Sequence, residues 1–84
     1  MNQKIEITVR LFGAFRRYGA QVVLSVPSGS SVADIITLLS EKIDTQDKVL
    51  LNDSAMANDN EIVGRDFILN ENSELAILPP VCGG

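Results

Sequence analysis

The residues with the clearest chemical use stand at the end of the chain, in residues 79–84, PPVCGG. Pro79 and Pro80 each fix φ near about −65° and remove a backbone donor, so they end strand pairing and push the chain outward. Gly83 and Gly84 carry no Cβ, which makes the chain narrow and leaves the terminal carboxylate open to attack. Four residues beyond the prolines reach roughly 13 Å at ~3.3 Å each. We therefore predict a tail that inserts into a partner's pocket.

A terminal Gly-Gly has a second interpretation, because a frayed end or a cloning scar leaves the same residues. The double proline comes directly before it and follows a predicted final strand. This position favours a functional tail over the alternative. Gly84 is then the residue at which chemistry is expected.

The rest of the chain offers few groups for catalysis. It contains no histidine and one cysteine, which excludes a zinc ligand set and the Ser-His and Cys-His pairs of hydrolases. The carboxylate pairs Asp44/Asp47 and Asp59/Glu61 lie in polar, turn-like sequence that predicts solvated surface rather than acid-base chemistry. We expect no metal site and no complete active site within this chain.

Length and composition limit the function further. With 84 residues, 45% apolar and 21% charged, the chain predicts a single domain over residues 1–84, with little room for a large catalytic cavity. The 7 basic and 11 acidic residues give a net charge of −4, which opposes binding to nucleic acid. The tight basic pair Arg16-Arg17 is predicted to lie in a solvated loop.

The termini carry no targeting pattern. The stretch MNQKIEITVR alternates charged and apolar residues where a signal peptide requires an apolar block. No apolar run approaches the ~20 residues that span a bilayer, and Cys82 lies too near the end for a prenylation motif. These features predict a cytoplasmic protein without membrane attachment.

The first third of the chain predicts two strands. Residues 5–11 alternate apolar and polar side chains with the period of a strand that has one buried face. Residues 22–26 repeat this period after a loop bounded by Gly13 and Gly19, which predicts a hairpin partner. The turn chemistry of residues 27–30 ends that strand.

A helix is predicted to begin after Ser31, whose hydroxyl and the carboxylate of Asp34 suit an N-cap and a first helical turn. Apolar residues then recur at helical spacing and define one face that packs on the sheet: Val32, Ile35, Ile36, Leu39 and Ile43. Farther on, VLLN, SAMAN, EIV or FIL, and ELAIL predict short strands between polar clusters.

The order of these elements is that of an α+β fold, the ubiquitin-like β-grasp, with a mixed sheet, one main helix across one face and residues 79–84 as the C-terminal tail. In this fold the last strand lies beside the first and parallel to it. Phe12 and Leu78 then have the parity that points outward, beside the exit of the tail. We predict that they form a docking patch, although single exposed apolar side chains are common.

The sequence resembles a known family at this point. The ending LPPVCGG, with VRLFGAF, SVADIITLLSEKI and the run from SAMANDNEIV to LNENSELAIL, is similar to the MoaD/ThiS-like sulfur carriers. The resemblance is closest to the small, sulfur-carrying subunit of molybdopterin synthase and spans nearly the whole chain. Its most specific part is the double proline and valine before Gly83 and Gly84, because thiamine-pathway carriers usually lack the double proline.

The resemblance implies a carrier without catalytic groups of its own. An E1-like adenylyltransferase would bind the tail, formed by Pro79, Pro80, Val81, Cys82 and Gly83, and use ATP to adenylate Gly84. A sulfur donor protein would convert the adenylate to a thiocarboxylate. The tail would then enter the large subunit of the synthase, in a heterotetramer, and donate sulfur to a pyranopterin for dithiolene formation. No cofactor would be bound by this chain.

Two residues depart from the family pattern. Leu78 stands where the family often has Phe, which keeps an apolar contact. Cys82 stands where a small residue such as Ala, Ser or Thr is usual. Its thiol could intercept the activated Gly84 or form a disulfide with a partner, and the alternative is a tolerated small side chain.

Three other functions are compatible with the same fold. A thiamine or tRNA-thiolation carrier would use the same chemistry with another acceptor. A ubiquitin-like modifier would form an isopeptide bond with lysines. A plain β-grasp adaptor would work without its last two residues.

Overall fold

The computed structural model describes residues 3–80 of the chain. Its strands are β1 (Lys4–Leu11), β2 (Gln21–Pro27), β3 (Ser30–Ser31), β4 (Ala55–Asn58), β5 (Glu61–Val63), β6 (Ile68–Leu69) and β7 (Ser73–Leu78). The helices are α1 (Val32–Ser40), α2 (Thr45–Asn52) and a 3₁₀ helix (Gly13–Tyr18). Four residues of the predicted tail, Val81, Cys82, Gly83 and Gly84, lie outside the described residues.

The strands form a five-stranded sheet in the order β2-β1-β7-β4-β5 and a two-stranded sheet of β3 and β6. The central strands β1 and β7 are parallel, whereas β2, β4 and β5 each pair antiparallel with their neighbours. The predicted β-grasp architecture is a mixed sheet with one main helix across one face. The observed sheet is mixed and α1 packs on it, so the fold prediction is confirmed.

Local sequence explains the best-predicted elements. In β1, buried and solvent-accessible residues alternate along the strand as the period of two requires. Helix α1 begins with a complete capping box, because the Asp34 N–H donates to Ser31 Oγ and the Ser31 N–H donates to the Asp34 carboxylate. The helix ends at Ser40, so Ile43 lies beyond it and is half-buried.

The apolar face of α1 contributes to a single core. Val32 and Ile35 are fully buried, and Ile36 and Leu39 nearly so. They join the inward residues of the sheet, such as Ile7 and Leu75, in one hydrophobic cluster. Burying each such side chain contributes about 1.5–3 kcal/mol before the entropy cost of ordering it.

The prediction of a strand at VLLN was wrong. These residues form the second half of α2, which follows Asp44 and has Asp47 in its first turn, where the helix dipole favours a carboxylate. Among its residues only Leu51 is buried. A run of three apolar residues has no period that separates a strand from a helix.

The other short strands agree with the prediction. SAMAN, EIV and ELAIL contribute β4, β5 and β7, and the last two residues of FIL form β6. Strand β6 pairs with β3, a two-residue strand that the sequence did not predict. Asp59 and Asn60 connect β4 to β5 with φ of 52° and 66°, the positive values that a tight hairpin turn requires. Within residues 3–80, no helix is long and apolar enough to cross a membrane.

Candidate functional site: the base of the tail and its surroundings

The tail begins at the carboxyl ends of the two central strands. Leu11, the last residue of β1, pairs with Ile77 in the parallel register of β1 and β7. Since parallel strands end at the same edge of a sheet, Phe12 and Leu78 follow directly at that edge. The first residues of the tail therefore lie where the tail was predicted to leave the fold.

Gly13 and Pro79 form a close contact at this edge. A Cβ built on Gly13 would lie 2.8 Å from Pro79 Cγ, closer than carbon atoms pack. Gly13 also has φ of +58°, which other residues adopt at a cost. Both the backbone conformation and the space beside it therefore require glycine. Pro79 is half-buried by its surroundings, whereas Pro80 is exposed.

Phe12 and Leu78 are both exposed, each with 37% of its surface accessible. Leu78 lies opposite Ala55 on β4, and the next outward pair is Ala57 and Ala76. We call the surface formed by Phe12, Leu78 and these three alanines the exit face. Its small and apolar side chains leave the sheet open to contact by another protein surface.

A shallow groove of about 390 Å³ continues the exit face toward the turn between β4 and β5. Its polar side includes Arg10 and Glu74, which form an exposed ion pair of 3.9 Å. An exposed pair at this distance contributes little to stability. Both side chains are more than half accessible, so a partner can reach their charges. The groove is lined by Arg10, Phe12, Ala57, Asp59, Asn60, Glu74, Leu75 and Ala76.

A cluster of polar side chains joins the 3₁₀ helix to α2, and we call it the polar clamp: Arg17, Tyr18, Asp44 and Asp47. Arg17 Nη2 lies 2.6 Å from Asp44 Oδ2, and its Nη1 lies 3.5 Å from Asp47 Oδ2. The Tyr18 hydroxyl donates a hydrogen bond to Asp47 Oδ2 and accepts one of 2.9 Å from the Asp44 N–H. The Arg17 guanidinium also stands 5.1 Å from the centroid of the Tyr18 ring.

The polar clamp corrects two predictions. Arg17 is not a purely solvated residue, and the Asp47 side chain keeps only 14% of its surface accessible. The paired residues are 27 and 29 positions apart, and local composition carries no information about such pairing. Asp59 and Glu61 are exposed as predicted.

The environment of Tyr18 raises the pKa of its hydroxyl above 10.0, first because burial disfavours the phenolate and then because the hydroxyl donates to Asp47. Tyr18 is therefore neutral at physiological pH and acts as a hydrogen-bond donor. Because the 3₁₀ helix runs from Gly13 to Tyr18, the polar clamp holds one end of the segment whose other end touches Pro79.

The structure thus brings together Phe12, Leu78 and Pro79 at the end of the central strands. Catalytic Gly84 and the insertion residues Val81, Cys82 and Gly83 are predictions outside the described residues. Across residues 3–80, no group of three or more His, Cys, Asp or Glu side chains could hold a metal ion.

A family model described as "ThiS family" matches residues 9–84, most of the chain. The comparison with curated proteins gave no match.

Solved structures resemble the fold. A putative molybdopterin converting factor, subunit 1, from Pyrococcus furiosus is 22% identical with a TM-score of 0.76, over 92% of this chain and 99% of that one. SAMP1 from Haloferax volcanii is 20% identical with a TM-score of 0.72, over 94% and 99%. A chain from the complex of subunits 1 and 2 of the molybdopterin-converting factor of Helicobacter pylori is 22% identical with a TM-score of 0.67, over 95% and 100%. At these identities the likeness shows the fold alone.

Proposed function

The chain belongs to the ThiS family, and from this membership we propose that it carries sulfur as a thiocarboxylate on Gly84 and delivers it for dithiolene formation in molybdopterin synthesis. The observation that carries the proposal is the PPVCGG ending directly after the central strand β7. Its first proline packs on Gly13, so the chain leaves the fold from a fixed point.

The chemistry that we propose begins with activation of the terminal carboxylate. In an E1-like adenylyltransferase, a Gly84 oxygen attacks the α-phosphate of ATP, and pyrophosphate leaves. A persulfide on a sulfur donor protein then attacks the acyl carbon and displaces AMP. A thiol cleaves the resulting S–S bond, which leaves the thiocarboxylate on Gly84 and a disulfide elsewhere. ATP is a substrate of the activating enzyme in this scheme.

Delivery requires a second partner, the large subunit of molybdopterin synthase. The thiocarboxylate sulfur is a better nucleophile than the carboxylate oxygen, and it attacks a carbon of the pyranopterin acceptor and displaces an oxygen bound to that carbon. Water then hydrolyses the resulting thioester, which leaves the sulfur on the acceptor and returns Gly84 as a carboxylate. The absence of side chains at residues 83 and 84 suits passage through a narrow channel.

The double proline and valine support the molybdopterin acceptor over others. The fold is also similar to structures named as subunit 1 of a molybdopterin converting factor, one of them in complex with subunit 2. In this chain we assign docking of such a large subunit to the exit face, with Phe12 and Leu78 as its apolar anchors.

A second candidate function is supported by the similar fold of SAMP1, named as a small archaeal modifier protein. A modifier would use the same adenylate but pass Gly84 to a lysine amine of another protein. In cells this would produce slowly migrating conjugates. Thiamine and tRNA-thiolation carriers would form the thiocarboxylate and pass its sulfur to another acceptor.

Reconstitution distinguishes these acceptors. The thiocarboxylate form, mixed with a molybdopterin synthase large subunit and pyranopterin precursor, is expected to yield the dithiolene product in proportion to the chain added. A chain lacking Gly83 and Gly84 is the control and is expected to yield none. Failure of the charged chain, under conditions in which a known carrier supports the reaction, would contradict the molybdopterin assignment.

Docking is tested separately with the exit face. Phe12→Ser and Leu78→Ser are each expected to weaken binding to the large subunit by about tenfold, because exposed apolar anchors near an interface centre carry much of the affinity. Val49→Ser is the matched control, since Val49 is 69% exposed and lies on α2, outside the exit face. Equal losses for all three variants, measured by calorimetry, would refute a docking role specific to the exit face.

A further inference from the structure

Among the residues that the structure describes, no strand pairs with the outer edge of β2, and the tail chemistry does not use the backbone groups of this edge. Strand β2 is the last strand of the sheet order β2-β1-β7-β4-β5. The Leu11 N–H donates to Ala20 O at 3.0 Å, and these two residues lie opposite each other in the extended register of β1 and β2. Hydrogen-bonded pairs alternate along an antiparallel ladder. The backbone groups that point away from β1 therefore belong to Gln21, Val23 and Ser25.

This edge lacks the features that usually prevent pairing with another chain. The seven residues of β2, QVVLSVP, include no charged side chain, and the proline comes at the end. Val23 is 50% exposed. The opposite edge strand, β5, has three residues and begins with Glu61. Short length and charge protect an edge, so β5 is protected whereas β2 can template an added strand.

An apolar pocket of about 390 Å³ lies beside this edge, on the helix side of the sheet. Its deep wall consists of buried residues of β1, β7 and the helices, and its accessible residues are Tyr18, Val22, Lys42 and Ile43. Since Val22 belongs to β2, the mouth of the pocket opens next to the free edge. The full lining is Leu11, Phe15, Tyr18, Val22, Leu39, Lys42, Ile43, Leu51 and Ile77.

Lys42 supplies a positive charge to this mouth. Within residues 3–80 its ammonium group forms no ion pair, and Lys42 is the one charged residue in the lining of the pocket. The whole chain has a net charge of −4, so a cation beside an apolar pocket departs from the general charge of the surface. A carboxylate next to an apolar side chain would match both features.

We propose that the β2 edge and this pocket together bind an extended segment of a partner protein. The segment adds to the sheet through the backbone groups of Gln21, Val23 and Ser25, as in strand addition. One of its apolar side chains enters the pocket, and an acidic residue beside it pairs with Lys42. The exit face lies on the other side of the sheet, so this partner and the tail's partners do not compete for the same surface.

The probe is a short synthetic peptide of alternating valine and threonine with two glutamates at one end, titrated into the isotope-labelled full chain. We expect chemical-shift changes at Gln21, Val23, Ser25 and the residues of the pocket mouth. Slower amide exchange at the three edge positions should accompany them, because these N–H groups gain acceptors. A peptide with lysines in place of the glutamates is expected to bind about tenfold more weakly.

Two charge-reversal variants separate a specific contact from a general charge effect. Lys42→Glu is expected to weaken binding of the acidic peptide by about tenfold. Lys48→Glu, the same charge change on α2 and outside the pocket lining, is expected to leave it within about twofold. Equal losses for both variants would overturn the assignment of Lys42.

A backbone variant tests the edge itself. Val23→Pro removes an N–H that points away from β1, so the ladder of β1 and β2 keeps its hydrogen bonds and peptide binding is lost. If this variant does not fold, the two lysine variants and the amide exchange still decide the question. The proposal would be overturned if neither the chemical shifts nor the amide exchange of the β2 edge changed when the peptide is added. Edge protection that grows with protein concentration without peptide would also overturn it, because a second copy would then be the occupant.

Discussion

The base of the tail and the polar clamp lie at opposite ends of one short segment, the 3₁₀ helix Gly13–Tyr18, and they are stabilised in different ways. At Gly13 the chain is fixed by backbone conformation and by a carbon-carbon contact with Pro79. At Tyr18 it is fixed by hydrogen bonds and ion pairs with Asp44 and Asp47. A steric contact tolerates almost no change, whereas a polar cluster loses its strength gradually with substitution, pH and salt.

The largest effect is expected at Gly13. Gly13→Ala places a Cβ at positive φ and 2.8 Å from Pro79 Cγ, and we expect a loss of about 2–4 kcal/mol in the free energy of unfolding. Gly29→Ala is the matched control, because Gly29 has φ of +94° and no atom within 4 Å of an added Cβ. Urea denaturation measures both, and Gly29→Ala should lose only the part due to φ.

The contact with Pro79 can be isolated by a double-mutant cycle. Pro79→Ala removes Cγ, so the variant with both Gly13→Ala and Pro79→Ala is expected to be more stable than the sum of the single effects predicts. Additive losses would show that backbone strain alone accounts for the requirement for glycine.

A smaller effect is expected at the other end of the segment. Tyr18→Phe keeps the ring beside Arg17 and removes the hydroxyl that donates to Asp47 and accepts from Asp44. We expect the melting temperature to fall by about 5 °C. Thermal unfolding followed by circular dichroism measures this change. An unchanged melting temperature would contradict a stabilising role for the polar clamp.

The polar clamp should also depend on pH. The folded pKa of Tyr18 is raised above 10.0, so its stabilising contribution is complete below the unfolded pKa and is lost as pH rises through the folded pKa. The charged residues that face the hydroxyl are Asp44, Asp47 and Arg17. Stability measured from pH 8 to 11 should therefore fall more steeply for the native chain than for Tyr18→Phe.

The smallest effect is expected at Arg17. Its side chain is 47% accessible, and solvent screens its pairs with Asp44 and Asp47. Arg17→Gln is expected to cost less than about 1 kcal/mol, and raising the salt concentration should reduce that cost further. A larger loss in urea denaturation would mean that Arg17 contributes more to the segment than screened charge allows.

The two ends of the 3₁₀ helix also differ in how much of their surroundings could be predicted from the sequence. Phe12 and Leu78 could be predicted to be neighbours from two properties. Strand parity is local to each strand, and the parallel order of the central strands belongs to the fold. The polar clamp was missed because Arg17 and Asp44 pair across 27 residues. The contact of Gly13 with Pro79 was likewise not predicted, because the periodicity of the sequence says nothing about the distance between these two residues.

The same distinction explains the fold. Strand β1 and helix α1 were predicted because each has a clear period, and the cap at Ser31 adds a local signal. Helix α2 was mistaken in part for a strand because it buries only Leu51. Strands β3 and β6 have two residues each, too few to show a period.

The central claim is that Gly84 receives sulfur, and intact mass spectrometry tests it most directly. After incubation with an E1-like adenylyltransferase, ATP and a sulfur donor protein, the native chain is expected to gain the mass of one sulfur-for-oxygen exchange, located at Gly84 by fragmentation. A chain extended by one alanine after Gly84 is expected to stay unchanged. An unchanged native chain, under conditions that charge a known carrier, would contradict the account.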